Sequence, residues 1–245
     1  MSSATPHDTA APPGALDAER LAAAAAEVRE ELDAGAAVSG RPAGAVTLVF
    51  AGKYLAPADT PALLVAGLTL VGENRLQDLE ARQEVAEGRL TFDFIGHLQR
   101  RKVRDVLPAI RLLHSLDSEG LAEEIAKRAG GETRVLVQVN VGEEGSKGGI
   151  FPSRLRDFVR LVSAHPQLVI GGLMAMPPAQ SVAERSRRHF AIVRELRDEM
   201  AREWAGRHDF RDLSMGTSQD YAVAAEEGAT MVRVGRTLIA RAAVA

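Results

Sequence analysis

The stretch Ala45-Val46-Thr47-Leu48-Val49-Phe50-Ala51-Gly52-Lys53 decides the fold. Apolar and β-branched residues follow one another without polar alternation, the pattern of a strand covered on both faces, as in parallel sheets. The run ends on one cation, Lys53, which such a strand delivers at its carboxyl end. In barrels of alternating strands and helices, that end carries the chemistry. A lone lysine is ordinarily a solvated surface residue, so its meaning depends on what the other strand ends bring beside it.

The same alternation repeats outward from this stretch. Upstream, a helix is expected over 15–36 and a Gly/Pro hinge over 40–44. Downstream, strands are expected over 68–71, 91–95, 110–113, 134–139, 168–173, 212–213 and 231–234, with helical segments between them. About eight strand-and-helix units result, the number at which a parallel sheet closes into a single (β/α)8, or TIM, barrel. An open doubly wound sheet is the other α/β solution, but no Gly-x-Gly-x-x-Gly follows the first strand.

With 245 residues, 46% hydrophobic and 26% charged, the chain has material for one domain with a large core. Residues 1–14, rich in Ser, Thr, Ala and Pro, are expected to be a disordered tail, leaving 15–245 for the barrel. A net charge of -3 offers no global attraction to nucleic acid or to anionic membranes. No apolar run reaches the length of a membrane span. The absence of cysteine removes disulfides, thiolate zinc sites and cysteine nucleophiles, and is consistent with a cytoplasmic location. No His-x-x-x-His or comparable carboxylate spacing suggests a metal.

At the expected strand ends stand Lys53, Glu73 with Asn74, His97, Ser115, Asn140, Met174, Ser214 with Gly216, and Gly235. Nearly all are polar or Gly, and all would share one rim, which locates a pocket. The last two ends, Ser214-Met215-Gly216-Thr217-Ser218 and Gly235-Arg236-Thr237, combine Gly with hydroxyls where barrels often hold phosphate. A phosphate site facing a lysine suits a phosphorylated aldehyde, pyridoxal 5'-phosphate (PLP), held as a Schiff base. Arg233, two residues before Gly235 and on the same strand face, is placed for the pyridine nitrogen. Arginine only donates hydrogen bonds, so that nitrogen would stay largely unprotonated and the ring a weak electron sink.

These residues bring a family into view. The chain resembles the YggS/PROSC family of pyridoxal-phosphate homeostasis proteins, which look like the barrel domain of alanine racemase standing alone, of the fold type III class. The resemblance rests on the strand ending at Lys53, Gly72-Glu73-Asn74-Arg75 with Gln77, Ile95-Gly96-His97-Leu98-Gln99 with Lys102, His114-Ser115-Leu116-Asp117, Val139-Asn140 with Ser146-Lys147 and Gly149, Gly172-Leu173-Met174-Ala175-Met176, Leu213-Ser214-Met215-Gly216 with Ser218, and Val232-Arg233-Val234-Gly235. It implies Lys53 as the Schiff-base lysine, Asn74 beside the cofactor ring, Ser214 and Gly235 at the phosphate, and Arg233 at the pyridine nitrogen. Met174, Met215, Gly216, Arg236 and Thr237 complete the expected cofactor-binding set. Three departures stand out: Gly52 where the family usually has Ser, Arg101 where Asn is frequent, and Arg236 where Ser or Thr is usual.

The function implied is PLP binding and supply to PLP-requiring apoenzymes, without robust catalytic turnover, by a monomer. An amino-acid racemase is the alternative. Two-sided proton transfer needs a base on each face of the cofactor. The only tyrosines are Tyr54 and Tyr221, and the chain is expected to lack the racemase's added β domain. A Schiff-base aldolase would predict the lysine but no bound chromophore. Lys147 lies in a Gly-rich loop whose order, Gly145-Ser146-Lys147, is wrong for a P-loop, and is a rim lysine. Arg100, Arg101, Lys102 and Arg104 are expected to form a solvated helix face.

Overall fold

The computed structural model describes residues 16–145, 147–178 and 182–243. The expected tail over residues 1–14 lies outside them. Eight parallel strands close into a barrel in sequence order: β1 (Thr47–Ala51), β2 (Leu70–Glu73), β3 (Thr91–Phe94), β4 (Leu112–Leu116), β5 (Thr133–Val139), β6 (Leu168–Ala175), β7 (Asp212–Thr217) and β8 (Met231–Val234). β1 pairs with both β2 and β8, which closes the ring. The connecting helices are α2 (Thr60–Val65), α3 (Leu76–Ala86), α4 (Val103–Val106), α5 (Glu119–Arg128), α6 (Leu155–Ser163), α7 (Arg187–Glu203), α8 (Tyr221–Glu226) and α9 (Arg236–Ala242). An additional helix, α1 (Ala18–Val38), is capped by Asp17, whose carboxylate accepts from the Glu19 and Arg20 N–H groups. It packs Leu21, Val28 and Leu32 toward α8 and α9.

The apolar strands explain the closure. Outward side chains such as Phe50, Val71 and Phe94 meet the helices in the main core, while Val49, Leu112, Leu136, Met174 and Met231 form a second cluster inside the barrel. Both faces of the sheet are therefore buried, as the unbroken apolar run around Val49 requires.

Four strands end beyond expectation: β2 runs Leu70–Glu73 rather than 68–71 in regular register, and the other three each carry a register irregularity. β6 pairs Ile170 with Val135 but Gly172 with Leu136, so one residue is inserted at Gly171. β7 pairs Ser214 with Met231 but Thr217 with Arg233, an insertion that falls at Gly216, whose φ of +91 suits glycine. β4 shifts similarly between Leu113 and Leu116. These bulges extend β6 to Ala175, β7 to Thr217 and β4 to Leu116, beyond the ends read from hydropathy.

Candidate functional site

A cavity of about 290 Å³ opens at the carboxyl ends of the strands. It is lined by Lys53 and Tyr54 after β1, Asn74 after β2, Met176 after β6, Thr217 and Ser218 at the end of β7, and Arg233 and Arg236 on and after β8. Each reaches the rim because its strand ends there.

Lys53 sits in the 3-10 turn Gly52–Tyr54, with Nζ 4.5 Å above the centre of the Tyr54 ring, a cation-π contact. Tyr54, next in sequence, thus also faces the lysine in space. The turn is held from below by Arg82, which is 1% exposed and absent from the expected site. Its Nη2 donates to the carbonyls of Gly52 (3.1 Å) and Leu55 (2.8 Å), on either side of Lys53, and its Nε to Glu73 Oε1 (2.6 Å). Burial raises the Glu73 carboxyl, and Arg82 opposes that rise. A Cβ on Gly52 would fall 2.7 Å from Glu73 Cδ, so Gly52 gives this carboxylate its room.

Arg233 is 5% exposed. Its Nη1 donates to the Ser214 carbonyl (2.7 Å) and hydroxyl (2.5 Å), and Nη2 to the Ala175 carbonyl (3.0 Å). No carboxylate is bonded to it among the described residues, and burial pushes it down to about 10. Across the cavity, the hydroxyl of Ser218 accepts from the N–H groups of Thr237 (3.2 Å) and Gly235 (3.4 Å). Thr237 Oγ1 donates to the Ser218 carbonyl (3.0 Å), which fastens the two loops together. A Cβ on Gly235 would lie 2.6 Å from both the Ala51 carbonyl oxygen and Tyr54 Cδ2, so glycine here lets β8 approach the lysine turn.

Of the residues expected to hold a cofactor, Lys53, Asn74, Arg233 and Arg236 line the cavity, and Gly235 and Thr237 bound it. Four fall elsewhere. Ser214 is fully buried one layer below, between Arg233 and His114, because β7 continues to Thr217. Met174 packs inside the barrel because β6 continues to Ala175. Met215 points outward into the main core. Gly216 makes the bulge, where a Cβ would lie 2.5 Å from Ala224 Cβ. The residues that replace them at the cavity, Thr217, Ser218 and Met176, stand one to four positions further along the same strands. Their hydroxyl and apolar characters were visible in the sequence, but the bulges that position them were not.

A second lobe of about 430 Å³ adjoins the first and shares Met176 and Thr217 with it. Asn140 and Lys147 line this lobe. Asn140 donates to the carbonyls of Glu144 and Lys147, and Lys147 Nζ is bonded to Glu144 Oε1 at 2.9 Å. At the rim, His97 pairs with Asp117, and Ser115 donates to the Gly96 carbonyl. Among the described residues, no group of three or more His, Cys, Asp or Glu could hold a metal ion, and no helix is long and apolar enough to cross a membrane.

Residues 54–240 match the family model described as alanine racemase, N-terminal domain. A protein named pyridoxal phosphate homeostasis protein from Aquifex aeolicus is 38% identical over 215 residues, covering 86% of this chain and 93% of the relative. The chain belongs to this family. A protein of the same name from Pseudomonas aeruginosa is 36% identical over 227 residues, covering 90% of this chain and 94% of its own. PipY of Synechococcus elongatus, solved with PLP bound, superposes with a TM-score of 0.77 at 30% identity, covering 89% of this chain and 99% of that one.

The cavity suits such a group on its own features. Asn74 Oδ1 is buried without a hydrogen-bond partner among the described residues. It stands beside a guanidinium bonded only to neutral acceptors. Buried polar atoms of this kind are ordinarily satisfied, here by whatever enters.

Proposed function

We propose that the chain binds PLP in the 290 Å³ cavity and holds it for supply to PLP-requiring apoenzymes, as a cytoplasmic monomer without robust turnover of its own. The observation that carries this reading is the meeting of the Lys53 amine and the Arg233 guanidinium in one cavity, closed on the third side by Ser218 and the Gly235 and Thr237 N–H groups. When bound, the cofactor supplies an aldehyde that condenses with amines and a ring that can accept electrons. Lys53 provides the amine, which reacts as the neutral nucleophile. Ser218, whose hydroxyl the Gly235 and Thr237 N–H groups hold in place, and Arg236 hold the phosphate. Arg233 has only hydrogens to offer, so it keeps the pyridine nitrogen unprotonated and the ring a poor electron sink, which favours holding over turnover.

Borohydride reduction of protein incubated with PLP, followed by peptide mapping, tests this. The label is expected on the peptide that contains Lys53. It should vanish in Lys53→Ala and persist in Lys147→Ala. A label that follows Lys147, or wild-type protein that takes none, sinks the reading.

A further inference from the structure

The middle of the barrel holds a line of polar groups that the cofactor reading does not by itself require. Asp93 on β3, His114 on β4 and Ser214 on β7 are each fully buried. Interior positions of such barrels are ordinarily filled by branched apolar residues, as the neighbouring Val49, Leu112, Leu136, Met174 and Met231 are here. Polar groups placed there must all be bonded, and these are.

The direction of each bond follows from its chemistry. The Asp93 carboxylate accepts only, so His114 Nε2, 3.0 Å away, carries the hydrogen. A neutral His114 then accepts at Nδ1, from the Ser214 hydroxyl at 2.8 Å. Ser214 Oγ in turn accepts from Arg233 Nη1 at 2.5 Å. Burial lowers His114 and keeps it neutral, against the pull of Asp93. Burial alone would raise the Asp93 carboxyl, but its hydrogen bonds with His114 and Arg111 take it below the usual range. At the far face, the half-exposed Arg111 grips Asp93 through Nε (2.9 Å) and Nη2 (2.5 Å). Every hydrogen along the line points from Arg233 toward Asp93, an arrangement in which each bond polarises the next.

We propose that Ser214, His114 and Asp93 are a positioning relay that fixes the Arg233 guanidinium, so that a remaining Arg233 N–H meets the pyridine nitrogen of PLP. The proposal rests on the cofactor reading of the cavity. None of the three touches the cofactor; they act through Arg233. The line accounts for how a buried guanidinium without a bonded carboxylate is held, since the Ser214 hydroxyl it donates to is itself polarised by His114 and Asp93. It also accounts for Ser214 lying beneath the pocket rather than in it.

The test uses PLP labelled with 15N at the pyridine nitrogen, bound to wild type, Ser214→Ala and His114→Asn. In each, the 15N shift, the dissociation constant and the borohydride label on Lys53 are measured. Ser214→Ala leaves two other Arg233 hydrogen bonds in place and is expected to fold, with circular dichroism as the check. In both variants the label should stay on Lys53. The 15N signal should move toward that of an unbonded pyridine, and the dissociation constant should rise about tenfold, the scale of one hydrogen bond to a charged group. Variants that bind and trap PLP with the wild-type 15N shift would reduce the line to structural filling and overturn the relay while leaving the cofactor reading intact. Wild-type protein that takes no label overturns both. If His114→Asn does not fold, Ser214→Ala decides alone.

Discussion

The two ends of the barrel treat positive charge in opposite ways. At the amino-terminal face, Arg111 is bonded to Asp93, and Arg134 to both Asp209 and Asp212. At the carboxyl-terminal face, Arg233 is held by two carbonyls and a hydroxyl, with Arg236 beside it in the same cavity. One end is internally neutralised, its arginines each bonded to carboxylates. The other keeps a buried cation whose bonded partners are all neutral, and a pocket of that kind takes an anion. Breaking a buried pair should therefore damage the fold, while removing the carboxylate-free cation should damage binding more than the fold.

The largest effect is expected at Arg82, the paired arginine under the lysine turn. Both it and Glu73 are essentially inaccessible, and Arg82→Met would leave the carboxylate buried without its cation. Breaking such a pair from one side costs about 3–5 kcal/mol. Urea unfolding should register that loss, and borohydride trapping at Lys53 should weaken as the Gly52 and Leu55 carbonyls come free. A variant as stable as wild type would mean that Arg82 does not hold the turn.

Arg233→Met is the converse. It removes a buried charge that no carboxylate pairs but leaves the Ser214 and Ala175 carbonyls without this donor, so the stability loss should be about 1–3 kcal/mol, smaller than that of Arg82→Met. The PLP dissociation constant should rise on the order of 10- to 100-fold as charge-assisted bonds are lost. A large stability loss with unchanged affinity would reverse the comparison between the two ends.

How much of this was visible in the sequence follows from what sets each feature. The closed barrel was legible because the run around Val49 is apolar at every position, and burial on both sheet faces demands that. Lys53, Asn74, Arg233 and Arg236 were legible because each lies on or just after a short apolar run whose end is close to, though at β1 and β2 two residues from, the strand's end. Ser214 and Met174 were misplaced because a bulge adds a residue without changing composition. Nothing in Thr217 or Gly216 marks the extra residue until the pairing with Arg233 is seen. Arg82 was invisible for another reason: an arginine within a polar helix looks solvated, and only the depth of Glu73 draws it inward.

Gly52 offers a finer probe of the buried Arg82–Glu73 pair. A Cβ there presses on the Glu73 carboxylate, whose Oε2 has no hydrogen-bond partner among the described residues. Gly52→Ala should force the carboxylate off Arg82 and lower stability by about 1–2 kcal/mol. Gly52→Ser crowds it equally but adds a hydroxyl that can donate to Oε2, and should recover part of that loss. If serine proves as harmful as alanine in parallel urea melts, the lone Oε2 is not what the site is short of.

His208 gives the smallest effect and the closest analogue of Arg233 among titratable groups. It is 4% exposed, and Nδ1 accepts from the Ile170 N–H (3.2 Å) while Nε2 meets the Ser163 hydroxyl (2.8 Å). Like Arg233 it is buried among neutral partners, but an imidazole can shed its charge. Burial, aided by Arg207, pushes it down to about 4. Because the folded value lies below the unfolded 6.5, the unfolded chain binds the extra proton first as pH falls. Stability should therefore be unaffected by His208 above about pH 6.5 and decline between about 6.5 and 4, by at most about 1.4 kcal/mol per pH unit. Denaturant titrations of wild type and His208→Asn should differ in slope across that window and run parallel above it. Equal slopes would mean that His208 takes up its proton in the folded barrel as easily as in the open chain. A difference would show that neutral surroundings expel charge where they can, an escape open to the His208 imidazole and closed to the Arg233 guanidinium.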